Sequence, residues 1–212
     1  FVFNDRAIQP NYIMHCAEYI TTLPNQLLIR TSCGTLVQAF ESLLSRNNSS
    51  YINKNAAEAI TEILDCLEQS ELFNNLSSEN QLVDKNNQTI ANKNQIIEAL
   101  QNSAFKAGNA AGRSGVGYIT TIANALAVFS NLPYSEVATA ALPLILEAYL
   151  SVKPALANRF SSDFDTEKII AQINKLTKTW NIIADHKQTK SLPMQEISEY
   201  IKKDIDSIHS PP

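Results

Sequence analysis

Three histidines and three cysteines are the residues of this 212-residue chain best suited to act as nucleophiles, bases or metal ligands. His15 and Cys16 are adjacent and come nearest to a nucleophile–base pair. On a helix, neighbours point about 100° apart, so this imidazole could not reach this thiol as a dyad requires. His186 falls in the loop ahead of the last expected helix, and His209 in the tail. No C-x-x-C, H-x-x-x-H or H-E-x-x-H spacing occurs, so no metal site is expected.

The glycine-bearing run from Gly108 to Gly117 invites comparison with phosphate-binding loops. The Walker pattern places four residues between its glycines and a Lys before Ser or Thr. Here three residues separate Gly108 from Gly112, Arg113 stands where Lys is needed, and no hydrophobic strand precedes. The expected role is structural: small residues break one helix and let the next pack closely. Glu58 and Glu62, one helical turn apart, oppose an apolar stripe and are expected on a solvated face. Nothing there would raise a carboxyl pKa for acid catalysis. A Gly-x-Ser-x-Gly elbow is also missing. The sequence thus nominates no catalytic residue, no cofactor-binding residue and no cofactor.

The thiols suggest a different chemistry. Cys16 lies on the apolar face of its expected helix, whereas Cys66 lies roughly 110° from the stripe of its own. Three is an odd number, so oxidation leaves one thiol over. Cys16 and Cys33, on neighbouring helices, form the candidate disulfide, and Cys66 is the candidate intermolecular thiol. The alternative is three reduced, buried thiols in an intracellular protein.

The elements that would position these residues are helices. After Pro10, the residues Tyr12, Cys16, Tyr19, Ile20 and Leu23 share one helical face. Pro24 then opens a helix from Gln26 to about Leu44, with Gly34 as a kink point. The clearest stripe is Ala56, Ala59, Ile60, Ile63, Leu64 and Leu67, on a helix expected from about Asn55 to Gln69. A turn around Glu71–Phe73 and a polar stretch at 77–87 lead to a helix from Thr89 to Lys106. That helix is expected to bury Ile90, Ile96, Ile97, Leu100 and Phe105.

From Ser114 to Val152 the only charges are Glu136 and Glu147. Such a stretch belongs in the middle of a bundle or in a membrane. Pro133, Pro143 and the two Glu interrupt the roughly 20 apolar residues that a span requires, so a buried helical hairpin is expected and a membrane partner is not. Asp165-Thr166-Glu167 opens a helix striped by Ile169, Ile173, Leu176, Trp180 and Ile183. Pro193 opens the last, striped by Met194, Ile197, Ile201, Ile205 and Ile208, and these two helices should pack as an antiparallel pair. The expected fold is all-α: one domain over 1–212, eight or nine helices around the central apolar hairpin, with 77–87 as the weakest point.

Composition narrows the function classes. The chain is 44% hydrophobic and 18% charged, with a net charge of −4 and no basic run beyond Lys202-Lys203, which argues against a nucleic-acid partner. Phe1 in place of an initiator Met, and Pro211-Pro212 at the other end, read as cut points left by a removed signal peptide or by excision from a longer protein. Sequons at Asn47, Asn48, Asn75 and Asn87 match the roughly three that chance supplies in so Asn-rich a chain, and carry no weight.

Three stretches are similar to the helical non-repetitive domains of spider silk proteins: Leu36-Val-Gln-Ala-Phe40-Glu-Ser-Leu-Leu44, Ile96-Ile-Glu-Ala-Leu-Gln-Asn-Ser-Ala-Phe105 and Tyr118-Ile-Thr-Thr-Ile-Ala-Asn-Ala-Leu126. The resemblance implies a secreted structural domain that keeps a silk chain soluble and drives its assembly, in some cases through a disulfide. It carries over no site residue. The leading expectation is therefore a non-enzymatic domain that associates with itself, a homodimer being one form, or with another protein. The alternatives are a pore-forming or host-directed toxin that releases the 114–152 hairpin into a membrane, and an enzyme whose site is gathered from scattered helices. For compartment, secretion is expected first and the cytoplasm second.

Overall fold

The computed structural model describes residues 10–69, 87–115, 117–130, 132–152, 165–179 and 193–204. Within them lie seven α-helices: α1 (Asn25–Leu44), α2 (Ser50–Gln69), α3 (Asn87–Ser114), α4 (Tyr118–Ser130), α5 (Tyr134–Val152), α6 (Thr166–Thr179) and α7 (Met194–Asp204). No strand occurs among the described residues, so the all-α expectation holds, with seven α-helices within them. Glu71–Phe73, Trp180, Ile183, His186, Ile205, Ile208 and His209 lie outside the described residues.

α1 is the centre of the assembly and packs on α2, α3, α4 and α5. It follows Pro24, whose fixed φ suits a helix entry and whose carbonyl accepts the amides of Leu27 and Leu28. Leu36, Val37, Ala39, Phe40, Leu43 and Leu44 are all buried, because neighbours cover α1 on several sides. Gly34 produces no break in it; a Cβ at Gly34 would touch Ser135 Cβ of α5 at 3.4 Å. On α2 the stripe from Ala56 to Leu67 is buried as its spacing requires. The helix begins five residues earlier than expected, at Ser50, where Ser49 Oγ accepts the Ile52 amide.

Three expectations need correction. The stretch after Pro10 forms only a single 3-10 turn, Ala17–Ile20, and leaves Tyr12 and Tyr19 exposed, because it runs across α3 instead of burying one face. The glycines of α3 do not end it. The helix runs through Gly108 and Gly112 to Ser114, and stops where Gly115 takes φ 82° and donates its amide to the Ala111 carbonyl. Phe105, expected in the core, is 44% exposed, while Ala107 and Ala110 supply the close approach.

The uncharged hairpin is present as α4 and α5, packed on each other and on α1. Ala123, Ala125, Leu142 and Leu146 are buried, while Val128, Leu144 and Val152 face outward. α5 continues through Pro143, which forgoes only the backbone bond to the residue four before it. By length and composition alone α5 could cross a membrane, but two-fifths of its most apolar window is buried against protein (39%). Asp165 Oδ1 caps α6 by accepting the amides of Glu167 and Lys168, both at 3.1 Å. Among the described residues, α6 packs on α5 and α2, and α7 on α4.

Candidate functional site

Burying a carboxylate is costly unless donors surround it, so buried carboxylates point to where the fold has built something polar. Glu41 and Glu136 are the buried acids among the described residues, 5% and 4% exposed. Glu41 comes from the middle of α1 and reaches the N-terminus of α4. Its Oε1 accepts the Thr120 amide at 2.8 Å, and its Oε2 accepts the Thr120 hydroxyl. The otherwise unpaired amides of the first turn of α4 make this a natural seat for an anion. Thr120 Oγ1 also lies 2.9 Å from the Tyr134 hydroxyl at the start of α5. Glu136, on the first turn of α5, meets Arg30 of α1 at 3.0 Å.

Two helix N-termini thus meet the side of α1 at two polar clusters, Arg30 with Glu136, and Glu41 with Thr120 and Tyr134. Burial pushes the Glu41 carboxyl up from the ordinary range, and the hydrogen bonds from Thr120 only partly offset it. Burial likewise raises the Tyr134 phenol to about 12, so the ring carries its proton throughout the neutral range and can donate it in a hydrogen bond.

The raised Glu41 carboxyl has a thermodynamic consequence. The folded state holds a proton that the unfolded chain releases, so this group's contribution is complete below the ordinary Glu pKa. It is lost as pH rises through the folded value. Thermal melts across a pH series are therefore expected to show wild type losing stability on that upward limb relative to Glu41→Gln. Parallel curves for the two proteins would refute the assignment.

The residues singled out from sequence are dispersed. His15 Nδ1 lies 3.0 Å from Asn102 Oδ1, and its ring meets Phe105 edge-on. The Cys16 carbonyl accepts Gln101 Nε2 at 3.3 Å. Both line a cleft of about 410 Å³ against α3 that also includes Glu18, Asn94 and Glu98. His186 and His209 lie outside the described residues. Arg113 rests its guanidinium 5.1 Å from the centre of the Tyr51 ring, a cation–π contact well away from any phosphate-binding role. Glu58 and Glu62 are partly exposed and share Lys106 of α3, with Nζ 3.1 Å from Glu58 Oε2.

Cys16, Cys33 and Cys66 are all free thiols in this structure. The Cys33 thiol is raised to about 12 by burial and interacts with Thr139 of α5, which turns it toward the hairpin. Cys66 is buried, and its thiol is raised to about 11 by burial and then by Asp65 and Glu62. α2 is covered by both α1 and α3, so its buried arc is wider than the one stripe, which corrects the expectation of a thiol free to bridge to a partner.

Sequence reasoning misses Glu41, Thr120 and Tyr134. One signal is available: Glu136, one of two charges in a long apolar stretch, must find a partner once buried.

The sequence matches no protein-family model and no curated protein. Solved structures do match. A 1,3-propanediol oxidoreductase aligns at TM-score 0.67 and 20% identity, over 89% of this chain and 48% of its own. Sulfoacetaldehyde reductase from Bifidobacterium kashiwanohense, solved with NAD+, aligns at 0.68 and 13%, over 92% and 48%. The iron-containing alcohol dehydrogenase from Thermococcus thioreducens aligns at 0.67 and 13%, over 91% and 47%. The chain therefore shares the fold of these proteins and spans about half their length.

This likeness overturns the silk resemblance, and with it the reading as a non-enzymatic structural domain of a silk-type protein. The Ala-Phe rhythm that suggested silk has a packing origin: Ala39 and Phe40 are both wholly buried on the most enclosed helix. Any well-packed helix can carry that rhythm.

Some of these proteins contain iron. Among the described residues of this chain, no three His, Cys, Asp or Glu side chains form a group that could hold a metal. Glu41 is occupied by Thr120 and Glu136 by Arg30. The described residues do not fit an iron centre.

Proposed function

We propose that this chain is the helical half of an oxidoreductase that interconverts an alcohol and a carbonyl compound with a nicotinamide cofactor. The observation that carries the reading is the fold shared with an oxidoreductase, an NAD+-bound reductase and an alcohol dehydrogenase across about nine-tenths of the chain. Dinucleotide binding of the usual kind needs a strand, a glycine-rich turn and a helix. The described residues contain no strand, and the run from Gly108 to Ser114 is helical. In this reading the cofactor is held by a unit other than these helices.

The role given to this half is to receive the substrate oxygen. Tyr134 is half-buried and protonated, and Thr120 and Glu41 stand behind it in a hydrogen-bonded chain. In the reducing direction, hydride passes from reduced nicotinamide to the carbonyl carbon. The oxygen takes the phenolic proton of Tyr134, which is replenished along Thr120 from Glu41. A phenol that carries its proton through the neutral range is available as the donor in the reducing direction.

The test is consumption of NADH or NADPH by the whole enzyme, these helices together with the unit that holds the cofactor, with a panel of short aldehydes, including 3-hydroxypropanal and sulfoacetaldehyde. Turnover is expected, with Tyr134→Phe lowering kcat/KM about tenfold, the worth of one hydrogen bond of ~1.4 kcal/mol. Failure to oxidise either nicotinamide with any aldehyde would remove this reading.

A further inference from the structure

We infer that this chain keeps its fold, and performs whatever chemistry the fold hosts, without an iron ion, in contrast to the iron-containing proteins it is built like. The inference rests on the shared fold and the donor set, and not on the proposed activity.

Iron(II) in a protein is held by several imidazole and carboxylate donors whose lone pairs all point to one place. The deepest acids here point elsewhere. Both Glu41 oxygens accept from Thr120 at the mouth of α4, and Glu136 Oε1 lies 3.0 Å from Arg30. Displacing either would strand a buried donor or a cation, a cost the metal would have to overcome. The groups beside Glu41 are neutral oxygens, the hydroxyls of Thr120 and Tyr134, 2.9 Å apart and hydrogen-bonded to each other. Protonated hydroxyls are poor substitutes for imidazole.

The remaining donors among the described residues are scattered. His15 is occupied by Asn102 on α3, away from the hairpin. Cys33 is a single buried thiol beside Thr139. Glu58 and Glu62 are neutralised by Lys106, whose ammonium sits where a cation would have to go. Among the described residues, the acids on α1, α2 and α5 that could gather a metal are already met by a donor or cation from a neighbouring helix. These are the arrangements expected of a bundle whose polar interior is complete without a metal.

The experiment measures metal and stability on the whole protein without substrate. The protein is incubated anaerobically with excess ferrous iron, desalted and assayed for iron, and its Tm is measured with iron and with EDTA. The expected content is about 0.1 iron per chain or less, and Tm is expected to agree within about 1 °C in the two conditions. A site filled about a hundredfold above its Kd would instead raise Tm by several degrees. Near-stoichiometric iron, or a Tm that iron raises and EDTA lowers, overturns the inference. It is overturned equally if His186→Ala and His209→Ala then abolish the binding, since it concerns the entire chain. The aldehyde assay is read separately, so turnover by an iron-free protein supports both proposals, and an iron-loaded protein defeats this one alone.

Discussion

Replacing Phe40 with alanine is expected to destabilise the protein by about 3–5 kcal/mol, the usual cost of deleting a fully enclosed aromatic ring. Phe40 is 0% exposed at the middle of α1, the helix on which α2, α3, α4 and α5 all pack. Little room exists for collapse, because its neighbours on α1, Val37, Ala39, Leu43 and Leu44, are themselves enclosed. At this chain length the loss corresponds to a fall in Tm of roughly 10 °C. The same substitution at Phe105, which is 44% exposed, should cost under about 1 kcal/mol. Urea titration of the two variants reads the contrast directly. Equal losses would mean that α1 is not the enclosed helix of the bundle.

That contrast also marks what periodicity can and cannot convey. Phe40 and Phe105 each follow Ala in a helical rhythm, and the sequence treats them alike. Their fates diverge because α1 is covered on several sides and α3 is open on the face where Phe105 lies. Spacing identifies a stripe, but the width of the buried arc depends on how many neighbours a helix acquires, and that is a property of the tertiary arrangement. The same effect hides Cys66, which lies off the α2 stripe yet is buried because α3 covers its side.

Where a local rule suffices, sequence and structure agree. Pro24, Asp165 and Pro193 each stand immediately before a helix, and the α2 stripe is buried position for position. Where two local rules compete, spacing alone does not choose between them. Gly108 and Gly112 suggest a break, but one glycine costs a helix only about 1 kcal/mol, and the break comes at Gly115, where positive φ is required.

The candidate site is almost invisible in the sequence for a related reason. Glu41 is surrounded in sequence by apolar residues, and its partners Thr120 and Tyr134 lie 79 and 93 positions away. Only the meeting of α1 with the starts of α4 and α5 makes them a group. The fold likeness is equally hidden, because at 13–20% identity it resides in helix order and packing, not in words of sequence.

Gly117 gives the sharpest test of that group. A Cβ built there would stand 2.6 Å from Glu41 Cδ and 2.9 Å from Cγ, closer than real atoms approach. The backbone cannot retreat easily, since the Gly117 carbonyl accepts both the amide and the hydroxyl of Thr121, each at 3.1 Å. Glu41 must therefore swing out, abandoning the Thr120 amide and hydroxyl inside a closed core. Gly117→Ala is expected to cost about 2–4 kcal/mol, most of it from buried donors left without their carboxylate. Against a Glu41→Ala background the clash has no second party, and the added alanine should cost less than about 0.5 kcal/mol, giving a coupling energy of about 2 kcal/mol or more in the cycle. Gly108 and Gly112 supply the opposite sign. A Cβ at either meets nothing within 4 Å, and both lie inside α3, so alanine there should stabilise by up to about 1 kcal/mol. Denaturant midpoints for these variants decide the matter. If Gly117→Ala were as harmless as Gly108→Ala, then Glu41 would not be seated against the start of α4, and the cluster of Glu41, Thr120 and Tyr134 would lose its anchor.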